Sequence, residues 1–160
     1  GQAFARRLVG FGVKVLAYDK YRLNYGDAFA QEADMESIFQ EADILSLHVP
    51  LTEETLFLVD QSYLMQFTKN IFIVNTARGK VVHMKSLVLA LKSEKVRGVA
   101  LDVLENEKLD RLSPEQRITF DQLQQSERVL FTPHVAGWTF ESYEKINQTL
   151  VRKINALDLA

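Results

Sequence analysis

The sequence predicts an α/β domain built on a doubly wound parallel sheet. Short β-branched runs recur along the chain, amphipathic stretches separate them, and the runs are apolar on both faces. Residues 14–19 (KVLAYD) and 43–49 (DILSLHV) read as strands, and 71–76 (IFIVNT) and 96–102 (VRGVALD) continue the series. Residues 129–132 (VLFT) close it. Parallel strands joined through helices imply right-handed crossovers.

The helices follow from local signals. Residues 2–9 place Ala3, Phe4 and Leu8 together, with Arg6 and Arg7 on a solvated face. Asp34 is an N-cap for 35–42, and Asp60 for 61–67. Residues 84–94 carry Leu87, Val88 and Leu91 on one stripe. Ser113-Pro114-Glu115-Gln116 joins a capping residue, proline at the first helical position and Gln at the third. Residues 140–159 space Phe140, Tyr143, Ile146, Leu150, Ile154 and Leu157 by three and four. Between 105 and 128 the chain is polar, and this stretch is expected to be a functional loop or a surface insertion.

Composition narrows the class. A chain of 160 residues holds one domain, and 47% hydrophobic with 25% charged residues excludes disorder. A net charge of -2 supplies no field for nucleic acid, and the absence of cysteine removes disulfides, thiolate metal sites and cysteine nucleophiles. No apolar run reaches membrane-spanning length and the first residues do not read as a signal peptide, so a soluble, cytoplasmic domain is expected.

Four clusters carry chemistry. Gly1, followed by a strand ending at Asp19, has the spacing of the back half of a dinucleotide fingerprint. Its last glycine would allow close helix–strand packing and its acid would hold ribose hydroxyls; alone, a helix start and a strand-terminal Asp are the plainer account of the pair. Asn75-Thr76-Ala77-Arg78-Gly79 follows a strand and offers a guanidinium fork to a carboxylate. Asp102, Glu105 and Glu107 follow the next strand, as catalytic carboxylates or as a solvated acidic loop. Thr132-Pro133-His134-Val135-Ala136-Gly137-Trp138 follows the last and presents a candidate acid/base imidazole. The last three fall at carboxyl ends of different strands, where ligands of open α/β sheets bind.

These segments resemble the nucleotide-binding domain of the D-isomer-specific 2-hydroxyacid dehydrogenases, a family that includes D-3-phosphoglycerate dehydrogenase. The matching text is GQAFARRLVGFGVKVLAYD, ADILSLHVPLTEETLFLV, NTARGKVV, VRGVALDVLENE and FTPHVAGWTFES. The resemblance implies a Rossmann-type fold, NAD as cofactor, a small 2-hydroxy or 2-keto acid as substrate, and a homodimer formed through this domain. It implies that Gly1 lies at the cofactor phosphates and that Asp19 holds the adenosine ribose, favouring NAD over NADP. Val49, Pro50 and Thr55 would line the cofactor. Thr76, Ala77 and Arg78 would touch cofactor and substrate, Arg78 polarising the carbonyl. Asp102 would contact the nicotinamide, Glu107 would pair with His134, His134 would move the proton, and Gly137 would pack beside the nicotinamide. No metal is implied.

Departures also set expectations. Lys108 replaces a proline common after the catalytic glutamate, and His83 stands where an acid is usual. The fingerprint opens at its last glycine, so the sheet is expected to lack the central first strand of a 3-2-1-4-5-6 order and to leave its neighbours' edges unpaired. A separate substrate-binding domain is expected outside these residues, and residues 1–160 alone are expected to bind NAD weakly. His48 reads as structural, His83 as surface-exposed, and Trp138 as packing at a domain or subunit boundary. A non-catalytic NAD(H)-sensing module, like the transcriptional co-repressors on this scaffold, is the alternative function, and an inactive remnant serving dimer contacts a third. Among substrates, D-3-phosphoglycerate, hydroxypyruvate, glyoxylate and D-lactate stay open, with a phosphoglycerate dehydrogenase-like enzyme favoured by resemblance.

Overall fold

In the computed structural model, which describes residues 1–157, helices and parallel strands alternate from Met35 onward, after two short strands that follow one another directly. Helix α1 spans Gln2–Arg7 and runs into a 3-10 turn, Leu8–Phe11, closed by Gly12 in the left-handed conformation. Strands β1 (Leu16–Ala17) and β2 (Gln31–Glu32) form a two-stranded parallel sheet. Helix α2 (Met35–Glu41) leads to β3 (Ile44–Leu47), and α3 (Gln61–Met65) leads to β4 (Ile71–Asn75). Helix α4 (Met84–Lys92) precedes β5 (Val96–Leu101), and α5 (Pro114–Gln124) precedes β6 (Val129–Phe131). The long helix α6 (Phe140–Asn155) follows.

The caps form as their chemistry dictates. Asp34 accepts from the Ser37 amide and Asp60 from the Tyr63 amide, each at 2.8 Å. Ser113 and Gln116 make the reciprocal capping box on α5. The polar stretch 105–128 is therefore mostly ordered, holding a 3-10 turn at Leu109–Arg111 and all of α5.

Strands β3-β4-β5-β6 pair in sequence order, all parallel. Among the described residues this sheet and the β1-β2 pair are separate. One face of the larger sheet buries Leu45, Leu47, Ile73, Val99 and Leu101 against α4 and its neighbours. Helix α4 buries Leu87, Val88 and Leu91 as its stripe requires, together with Met84 and Ala90. Each such side chain contributes about 1.5–3 kcal/mol, and Leu87→Ala would cost about 2–5 kcal/mol. Phe67 closes the core beneath Phe39, their rings edge to face at 4.9 Å.

The opposite face departs from the expectation of helices on both sides. Ile44 is 60% exposed and Leu130 62%, although both are strand residues. Helix α6 has no buried residue, and its apolar stripe from Tyr143 to Leu157 faces solvent. The helix expected over 140–159 ends at Asn155, and Asp158 and Leu159 lie outside the described residues.

Candidate active site at the strand ends

Asn75, Leu101 and Phe131 pair in register as the last residues of β4, β5 and β6. The segments that follow therefore leave the sheet side by side from one edge. The first is pinned by Asn75, which is fully buried: its side-chain oxygen accepts from the Ala77 amide at 3.0 Å, and its amide nitrogen donates to the Arg78 carbonyl at 3.1 Å. Ala77 is thereby buried while Thr76 and Arg78 stand exposed. Arg78 Nη1 donates to the Ala77 carbonyl at 2.6 Å. Gly79 then passes so close to the next segment that an added Cβ would lie 1.7 Å from the Leu104 carbonyl oxygen. Only a residue without that carbon lets the Arg78 segment touch the segment leading to Glu107.

The three carboxylates after β5 do three different things. Asp102 is buried, and its Oδ1 accepts from the Thr132 hydroxyl and from the Val135 amide at 3.0 Å. Its Oδ2 accepts from the Ala136 amide at 3.1 Å. Burial works to raise its pKa, but the Thr132 hydroxyl and the two amides outweigh it and hold the group below the usual carboxylate range. Glu105 turns back to accept from the Met84 amide at the start of α4, at 3.3 Å. Glu107 alone faces the histidine: His134 Nδ1 lies 3.0 Å from Oε1 and 3.1 Å from Oε2. Both side chains are 48% exposed, so the pair is open to solvent on one side.

His134 adopts φ 55°, a left-handed conformation uncommon outside glycine, asparagine, aspartate and histidine. Asp102 holds the bend by gripping the two amides that follow, so a buried anion shapes the loop that carries the imidazole. The expectation that Asp102 contacts the nicotinamide meets a side chain already committed to the protein.

The other walls are built similarly. Thr55 Oγ1 donates to the Pro50 carbonyl at 2.7 Å and accepts from the Thr52 amide at 2.8 Å, fixing the loop that begins at Val49 and Pro50. At the end of β1, Asp19 Oδ1 accepts from the Tyr21 and Arg22 amides at 3.0 and 3.1 Å. The Tyr25 hydroxyl accepts from the Asp19 amide and donates to the Ala17 carbonyl, which locks the strand end.

A profile of the D-isomer specific 2-hydroxyacid dehydrogenase NAD-binding domain matches residues 1–136. The chain belongs to this family. It is 34% identical to a glyoxylate reductase of Thermofilum pendens, over 98% of this chain and 45% of that protein. It is 34% identical to the D-lactate dehydrogenase of Escherichia coli, over 99% of this chain and 50% of that one. Among solved structures, the NAD-complexed 2-hydroxyacid dehydrogenase of Lactobacillus delbrueckii superimposes with a TM-score of 0.82 at 29% identity, covering 96% and 48% of the two chains. The D-lactate dehydrogenase of Aquifex aeolicus, complexed with NAD and lactic acid, gives 0.81 at 29%, covering 98% and 49%. The chain spans about half the length of these relatives.

The residues at the β1 end fit the family's cofactor. Asp19 spends one oxygen on its own turn, and among the described residues its Oδ2 accepts no hydrogen bond, which suits a ribose hydroxyl. At Gly137 nothing lies within 4 Å of where a Cβ would stand, so the packing of the described residues does not demand glycine there.

One neighbour differs from its sequence reading. His83 is not a surface group: it is half-buried, with Nδ1 2.7 Å from the Ser86 hydroxyl and its ring edge to face with Phe57 at 5.3 Å. His48 bonds Ser46 at 3.0 Å and packs on Phe4, and partial desolvation pushes its pKa down. Trp138 is 70% exposed and packs against Tyr143. The positioning roles of Asn75 toward Arg78 and of Tyr25 toward Asp19 were not read from the sequence; an amide at the end of an apolar strand was the available sign for Asn75.

Proposed function

We propose that the whole protein is an NAD-dependent oxidoreductase acting on the CH–OH group of a small D-2-hydroxy acid, and that this chain supplies its cofactor-binding half. The observation that carries the reading is the Glu107–His134 pair at the strand-end rim. NAD, when bound, supplies or accepts the hydride. Everything else is done by side chains. Glu107 occupies His134 Nδ1, which fixes the ring and leaves Nε2 to face the substrate. When a 2-keto acid is reduced, its carbonyl oxygen gains an electron pair and takes the proton from His134 Nε2; oxidation returns it. Arg78 keeps most of its five donors free beyond its bond to Ala77, enough to grip a substrate carboxylate and offset charge on the reacting oxygen. Asp102 acts through the loop that it shapes, and Thr76, Ala77, Val49, Pro50 and Thr55 form the walls.

The relatives are about twice as long, and the reading assigns the substrate-binding lobe to the remaining part of the protein. A homodimer and a cytoplasmic location belong to the same proposal, on family resemblance. The dimer has further support in the apolar faces that α6 and the sheet leave exposed. The four relatives named above act as reductases or dehydrogenases, which favours the enzyme over a sensing module.

The test is His134→Ala in the whole protein, assayed with NADH and glyoxylate or pyruvate. Turnover should fall about 10²–10⁴-fold while NADH affinity is retained. Undiminished turnover would remove the histidine from the mechanism.

A further inference from the structure

We infer that Glu54 sets the preference of this domain for a plain adenosine ribose over a 2′-phosphorylated one, by keeping Lys20 away from the ribose. The inference rests on the reading of Asp19 as the ribose-binding carboxylate.

The segment after β1 reads Asp19-Lys20-Tyr21-Arg22, so two cations stand within three residues of the acid. A lysine there would ordinarily attract the roughly -1.5 to -2 charge of a phosphate. Here Lys20 Nζ lies 2.9 Å from Glu54 Oε1, and the Tyr21 hydroxyl donates to Glu54 Oε2. Glu54 comes from the loop after β3, so one carboxylate from a separate segment holds both side chains. Lys20 is folded back over the Tyr21 ring, 5.6 Å from its centroid. The Arg22 amide is spent on Asp19, and its guanidinium forms no ion pair among the described residues.

Charge makes the consequence definite. Asp19, Lys20, Arg22 and Glu54 together sum to zero, with the negative carboxylate of Asp19 foremost for a ribose. Replacing Glu54 by its amide leaves a net positive group, and the flexible stem of Lys20 then lets its ammonium reach a phosphate. Lys20 and Glu54 are each about half exposed, so water and salt screen the effect and it should be modest. A loop brace with no electrostatic role would instead weaken both dinucleotides alike.

The experiment measures NADH and NADPH dissociation constants of the whole protein by titration calorimetry, with 5′-AMP and 2′-AMP as probes of the adenosine end. Glu54→Gln should raise the NADPH-to-NADH affinity ratio about fivefold. The gain should shrink in about 0.5 M KCl and vanish in the Lys20→Gln/Glu54→Gln double variant. An unchanged ratio, or an equal gain in the double variant, would overturn the role of Glu54 while NADH binding stands. Failure of the unsubstituted protein to bind either dinucleotide would overturn the reading of Asp19 and this inference with it.

Discussion

Gly79 and Leu104 meet backbone to backbone, so tightly that a methyl group at residue 79 would overlap the Leu104 carbonyl at 1.7 Å. Because the contact is with main chain, neither side can yield by rotating a side chain. Gly79→Ala should therefore cost about 3 kcal/mol and lower turnover, since the Arg78 and Glu107 segments must separate. Thermal melting checks it: a midpoint within about 1 °C of the unsubstituted protein would show the contact to be slack.

Asp102 makes stability depend on pH. Its folded pKa lies below the ordinary unfolded value of about 3.9, so its contribution is complete above that pH. The contribution is lost as pH falls through the depressed folded value. Denaturant melts between about pH 6 and 2 should show a decline that Asp102→Asn lessens. Parallel curves for the two proteins would mean that the carboxylate is not tied to folding. At neutral pH the same substitution should cost about 2–3 kcal/mol, as a charged group with three donors is replaced.

Glu107→Gln keeps the shape of the pair and removes the charge. On the proposed mechanism kcat should drop about 10²-fold, with the KM for NADH nearly constant, because the imidazole loses its orienting anion but the cofactor walls are untouched. A change confined to KM would reassign Glu107 to binding.

Tyr25→Phe deletes one hydroxyl that both accepts from Asp19 and donates to Ala17. The loss should cost about 1 kcal/mol of stability and weaken NADH binding about threefold, since Asp19 is less firmly placed. Equal NADH affinity in the two proteins would show that the turn holds itself.

Features set by neighbouring residues were legible in the sequence. Asp34, Asp60 and Ser113 cap helices through amides three positions on, and the β-branched runs at 71–75 and 96–101 become strands wherever they lie. Strand β2 was not legible: Gln31 and Glu32 are exposed and polar, and only their ladder with Leu16 and Ala17 makes them a strand. The pairing of Glu107 with His134 was anticipated from resemblance. The separate duties of Asp102 and Glu105 were not, because burial distinguishes them and burial depends on how distant loops close. The face left bare by Ile44, Phe72 and Leu130 was hidden for a related reason: apolar residues announce that they need cover, not whether anything provides it.

The bend at His134 narrows what could ever replace it. Valine, isoleucine and threonine are sterically barred from that φ, while glycine or asparagine would sit there comfortably and bring no proton. A drifting sequence thus finds its easiest substitutes among residues that preserve the loop's outline and silence it, so an inactive descendant would keep its shape long after losing its chemistry.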